Sequence, residues 1–132
     1  MRLVAVLVLA GVAAGTAAAA WGPTGTGSGA ASARTLPAGN VPSGGTSLRN
    51  VTLTWTASTF PGGTPVPAYV VRRFNAVGGA ESPVLSACSG LVAATTCTES
   101  NVPSGSWKYT ITPAAGVWRG TQSAQSSSIL VI

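Results

Sequence analysis

Residues 50–57 read NVTLTWTA. Val51, Leu53 and Trp55 alternate with Thr52, Thr54 and Thr56. Successive side chains of a strand point to opposite faces, so this period of two predicts a strand with one buried face and one threonine face. β-branched and aromatic residues suit such a half-buried pleated surface. The pattern recurs outward along the chain. Residues 68–74 (AYVVRRF) predict a second strand, with Tyr69 and Val71 on one face and Val70, Arg72 and Phe74 on the other. Further on, Trp107, Tyr109 and Ile111 alternate with Lys108, Thr110 and Thr112.

Weaker signals fill the gaps. Residues 33–41 (ARTLPAGNV) predict a short first strand, 95–99 (TTCTE) another, and 126–132 (SSSILVI) the closing one. Residues 82–87 (SPVLSA) suit an edge strand, because Pro83 has no N–H to give a central ladder. Gly and Pro mark the loop at 60–67, and Gly78-Gly79 marks a hairpin-type turn. Residues 102–106 (VPSGS) turn the chain, and 113–122 read as a loop carrying Trp118 and Arg119. Short strands at near-regular spacing, separated by Gly/Pro turns, indicate a β-sandwich.

At 132 residues there is room for one domain. Residues 1–20 read as an export signal: Met1-Arg2, the apolar core LVAVLVLAGVAAG, then small residues for cleavage. An uncleaved membrane anchor is the rival reading. Residues 21–35 form a Gly/Ser/Thr linker with too little apolar surface to offset its ordering entropy. The folded domain is expected over 36–132.

There is no His and no Asp, and Glu81 and Glu99 are the only carboxylate side chains. Catalytic acids, bases and metal ligands come mostly from those residue types. No G-x-S-x-G and no phosphate-loop pattern is present. The two glutamates read as solvated surface carboxylates rather than a glycosidase pair. The expectation is therefore no enzyme, no cofactor and no metal. Without the signal, six cationic side chains face two carboxylates, a net charge of +4. Those charges are scattered, and Arg72-Arg73 would point to opposite strand faces, which argues against nucleic acid. In an exported chain the single pair Cys88 and Cys97 predicts a structural disulfide.

VTLTWTAS, PVPAYVVRRF and VPSGSWKYTITPAAG, in that order, resemble a fibronectin type III domain. The resemblance covers 36–132. It implies an all-β, seven-stranded fibronectin type III/Ig-like sandwich, here preceded by a signal-peptide helix. It further implies that Trp55 is the core tryptophan, that Tyr69 packs near it, and that Val102 opens the turn before an aromatic corner. Trp107 or Tyr109 fills that corner. Arg119-Gly120-Thr121 lies where some fibronectin modules carry an Arg-Gly-Asp integrin site, but the aspartate is missing. The N-terminal stretch, with Trp21 and Ala33-Arg34-Thr35-Leu36, is similar to exported camelysin and biofilm-fibre-type proteins of Gram-positive bacteria.

These readings lead to a secreted, non-catalytic structural or adhesive module at the bacterial cell surface. The alternative is an extracellular carbohydrate- or ligand-binding module using Trp118 and Arg119, both types enriched in interface hot spots. The partner would be a cell-wall polymer, a glycan or another surface protein. The membrane enters only if the signal is uncleaved.

Overall fold

The computed structural model describes residues 35–132. The export signal at 1–20 and nearly all of the 21–35 linker lie outside the described residues. Among those described, nine strand segments form two sheets. β1 (Ser43–Ser47), β2 (Asn50–Thr54) and β6 (Thr96–Glu99) make one, in the order β1-β2-β6. The other centres on β3 (Ala68–Asn75) and β7 (Gly105–Ala115), antiparallel over eight residue pairs. β7 fills one edge of β3. Both β4 (Glu81–Ser82) and β5 (Leu91–Val92) pair with β3, so they share its other edge. By the same logic β8 (Trp118–Arg119) and β9 (Ile129–Val131) share the free edge of β7. Nine segments thus occupy seven lanes, where seven continuous strands were expected.

The core follows the period-two pattern. Val51, Leu53, Trp55, Tyr69, Val71, Trp107, Tyr109 and Ile111 are all buried. Trp55 and Tyr69 meet edge to face, with centroids 5.5 Å apart, an arrangement aromatic pairs favour. The Tyr69 hydroxyl accepts the backbone N–H of Ser58 at 2.9 Å. The corner divides between two residues. Trp107 Nε1 donates to the carbonyl of Pro103, four residues upstream, at 2.9 Å, whereas the Tyr109 hydroxyl turns inward.

Three local expectations are corrected. First, residues 33–41 form no strand among the described residues; Ala38 makes only an isolated parallel bridge to Thr121. The first strand is β1, SGGTS, which has no apolar side chain and is exposed throughout. Gly44 explains its place. A Cβ there would stand 2.7 Å from Ile129 Cδ1 and 2.8 Å from Leu53 Cδ2, so glycine lets β1 lie close to the core without moving those side-chain ends. Second, residues 113–122 are not a loop. β7 runs through Pro113 to Ala115 and hairpins into β8 over Gly116-Val117, with Gly116 at φ 61°. Third, the edge segment 82–87 is strand only at Ser82; Ser86–Cys88 is a 3-10 turn.

That turn explains the broken lane beside β3. Cys88 and Cys97 form the expected disulfide, with Cα atoms 5.2 Å apart. Ser100 donates its N–H to Ser86 Oγ at 3.2 Å, and Leu85 donates its N–H to Glu99 Oε2 at 2.6 Å. Residues 83–90 are therefore drawn off the edge of β3 and pinned to β6. A disulfide of this kind fits an oxidising compartment. Among the described residues no helix is long and apolar enough to cross a membrane.

Candidate functional site

Glu99 is not a surface carboxylate. It is fully buried, inside the sandwich. Period two puts it on the same face of β6 as Cys97, just as it puts Arg73 on the face of Tyr69 and Val71. The two meet across the core: Arg73 Nη1 lies 2.9 Å from Glu99 Oε2. The Tyr109 hydroxyl donates to Glu99 Oε1 at 2.7 Å. Arg73 Nη2 donates to Ser82 Oγ and to the Pro83 carbonyl, and its guanidinium stacks 4.6 Å from the Trp107 ring centroid. A buried ion pair needs such further bonds to offset desolvation. Burial first, and then the hydrogen bond to the Glu99 carboxylate, push the Tyr109 phenol well above its usual pKa. This cluster joins two sheets; it is closed to any substrate.

The accessible chemistry lies on the outer face of the larger sheet. Register with the buried residues sends Val70, Arg72 and Phe74 of β3 to this face, as expected, together with Lys108, Thr110 and Thr112 of β7, although Thr110 and Thr112 are themselves buried there. Trp118 pairs with Ala115 and Arg119 with Ala114. Adjacent strand residues face opposite ways, so only Arg119 joins this outer face. Trp118 and Arg119 therefore face opposite sides of β8. Arg119 belongs with Arg72.

Two adjoining concavities share Val70, Arg72 and Arg119. The larger, about 510 Å³, opens where residues 83–90 leave β3, and Glu81, Ser82 and Leu91 also line it. The smaller, about 170 Å³, adds Thr112, Gly120 and Gln122. Arg72 Nη1 donates to Gln122 Oε1 at 3.2 Å, and Arg72 Nε lies 3.7 Å from Glu81 Oε2. Arg119 Nη1 donates to the carbonyls of Gly116 and Trp118 at 2.8 and 3.0 Å. Thr112 is 7% exposed, and its hydroxyl has no hydrogen-bond partner.

Trp118 stands apart at the hairpin. It is 71% exposed, and Val117 beside it 86%, so the indole is not a lid on the end of the sandwich. The other sheet has a different outer surface. Thr52 and Thr98 hydroxyls meet there at 3.0 Å, and Thr54 and Thr96 at 3.4 Å, with no charged side chain on those strand faces. Sequence reasoning missed Arg72, Thr112 and Gln122 as one cluster, because 113–122 read as a loop and its lane against β7 was not visible.

No protein-family model and no curated protein matches the chain. Solved structures do match its fold. The twitchin kinase region from C. elegans aligns with a TM-score of 0.60 at 19% identity, covering 74% of this chain and 17% of that one. Titin kinase with its flanking domains gives 0.57 at 22%, covering 76% and 18%. A Fn3-like protein from Clostridium thermocellum gives 0.52 at 22%, covering 76% of this chain and 96% of its own. This chain therefore spans under a fifth of the two large proteins and matches nearly all of the small bacterial one. The described residues form a β-sandwich of fibronectin type III/Ig-like kind. Identities this low establish the fold alone. No match supports the camelysin-type resemblance, most of whose residues lie outside those described.

Proposed function

We propose that this chain is a non-catalytic exported module with a structural or adhesive role at the bacterial cell surface. The observation that carries this reading is the burial of Glu99. One of only two carboxylate side chains is closed inside the sandwich, bonded to Arg73, Tyr109 and Leu85. The other, Glu81, is exposed beside Arg72. Neither has the paired geometry of a general acid and base on one substrate. The Fn3-like sandwich and its disulfide are in keeping with that role.

A second reading has its own observation. The exposed Trp118 on a two-residue hairpin suits contact with a ligand, carbohydrate being the class expected from sequence. Tagging the chain in its host, followed by fractionation and protease shaving of intact cells, tests the first reading. A surface-accessible protein whose deletion reduces attachment or envelope integrity supports it. An intracellular pool with reduced cysteines overturns it.

A further inference from the structure

We propose that the outer-face groove of the larger sheet binds an acidic polysaccharide of the uronate class, with Arg72 and Arg119 holding its carboxylate groups. The inference rests on the reading of the domain as a surface module and names a ligand for it.

Four observations converge on this groove. The first is charge. The Arg73–Glu99 pair is internal and its charges cancel, so it adds no net charge to the surface. Of the described cations that remain, Arg72, Lys108 and Arg119 share this one outer face by register, opposed there by Glu81 alone. The threonine face across the sandwich carries no charge on β2 or β6.

The second is unfilled donor capacity. Arg119 bonds only through Nη1, to two backbone carbonyls that fix the guanidinium in place. Arg72 bonds through Nη1 to Gln122, and its Nε contact with Glu81, at 3.7 Å, is beyond hydrogen-bond range. Both arginines keep further N–H groups for a ligand. Guanidinium forks match carboxylates in two-point contacts.

The third is the orphan hydroxyl of Thr112, a residue 93% buried in the wall of the smaller concavity. A buried hydroxyl without a partner costs free energy that a bound acceptor would recover.

The fourth is shape. The groove continues over two adjoining concavities that share Val70, Arg72 and Arg119, which suits a chain rather than a small enclosed molecule. Its floor mixes Val70, Leu91 and Pro83 with Arg, Ser and Gln side chains. A sugar ring offers the matching combination, with C–H faces for the apolar side chains and hydroxyls for the polar ones. Uronate adds the carboxylate. Glu81 beside Arg72 occupies part of that arginine's field and is displaced as the ligand carboxylate enters.

The test uses the full oxidised chain and three probes: polygalacturonate, its fully methyl-esterified form, and poly(glycerol phosphate). Binding is followed by calorimetry at low and high salt. Polygalacturonate should bind, the neutral ester should not, and the phosphate polymer should bind more weakly. Arg72→Gln and Arg119→Gln should each weaken polygalacturonate about tenfold or more. Arg49→Gln removes the same charge from the β1–β2 turn, away from this face, together with the Nε hydrogen bond to the Val102 carbonyl, and, once shown to be folded, should bind with little change. Equal losses in all three variants, or equal affinity for the phosphate polymer, would mean unspecific attraction and overturn the proposal. So would the absence of binding. A chain shown at the cell surface that ignores uronate removes this inference and leaves the surface role standing.

Discussion

Arg73 and Glu99 reach each other across the whole core, one from each sheet, at 2.9 Å. The pair sits beneath Trp107 and is bonded to Tyr109, Leu85, Ser82 and Pro83. In a small domain most cross-sheet cohesion is apolar. Here a charged strut adds direction, since it fixes where β6 lies against β3.

Breaking that strut on one side should be costly. Glu99→Gln leaves a buried guanidinium without its counter-ion and should destabilise by about 3–5 kcal/mol. The paired change Arg73→Met with Glu99→Leu should recover much of the loss, because apolar replacements of a buried pair are often near neutral. Denaturant unfolding of Arg73→Met, of Glu99→Leu and of the two combined measures this. Equal and additive losses would mean that the two charges do not depend on each other.

Tyr109 gives the domain an alkaline limit. Its folded pKa is raised, so its contribution is intact below the ordinary phenol value of about 10 and is lost as pH rises beyond it. Tyr109→Phe leaves Glu99 Oε1 without its donor and should cost about 1–3 kcal/mol at neutral pH. The stability gap between wild type and variant should close above pH of about 10. A gap that stays constant to high pH would contradict the buried hydrogen bond.

The disulfide holds residues 83–90 on β6 and thereby keeps the groove beside β3 open. Replacing Cys88 and Cys97 by Ser should cost about 2.5–3 kcal/mol for a loop this short. Amide exchange at Leu91 and Val92 of β5 should also accelerate. Unchanged exchange there would show that the bond does not organise the lane.

Trp55 and Trp118 should behave oppositely on truncation. Trp55→Ala removes a buried aromatic and should cost about 3–5 kcal/mol. Trp118→Ala, at an exposed hairpin position, should change stability by about 0.5 kcal/mol or less. Comparable losses would place Trp118 in the core.

Much of this was legible in the chain. The alternation at Val51, Leu53 and Trp55 placed β2 and its buried face, and that at Tyr69 and Val71 placed β3. The same rule pointed Arg73 and Glu99 inward and separated Arg119 from Trp118. It lost to the general expectation that charged side chains lie outside and that neighbours in sequence act together. Other features had no side-chain signal to read. β1 is a strand because β2 needs an edge partner and Gly44 allows the approach. Between β8 and β9, Ser123 and Ser126 hydroxyls accept the N–H groups of Ile111 and Tyr109 at 3.0 Å. Those hydroxyls stand in for backbone carbonyls, so a polar stretch without periodicity still completes a lane.

The most direct measurement is carboxylate footprinting of the folded chain. A water-soluble carbodiimide with an amine nucleophile labels accessible glutamates, and peptide mass spectrometry reports each site. The account predicts that Glu81 is labelled readily while Glu99 stays unmodified until the protein is unfolded. Labelling of native Glu99 at the rate of Glu81 would contradict it, for the carboxylate assigned to the core would then be open to solvent and substrate.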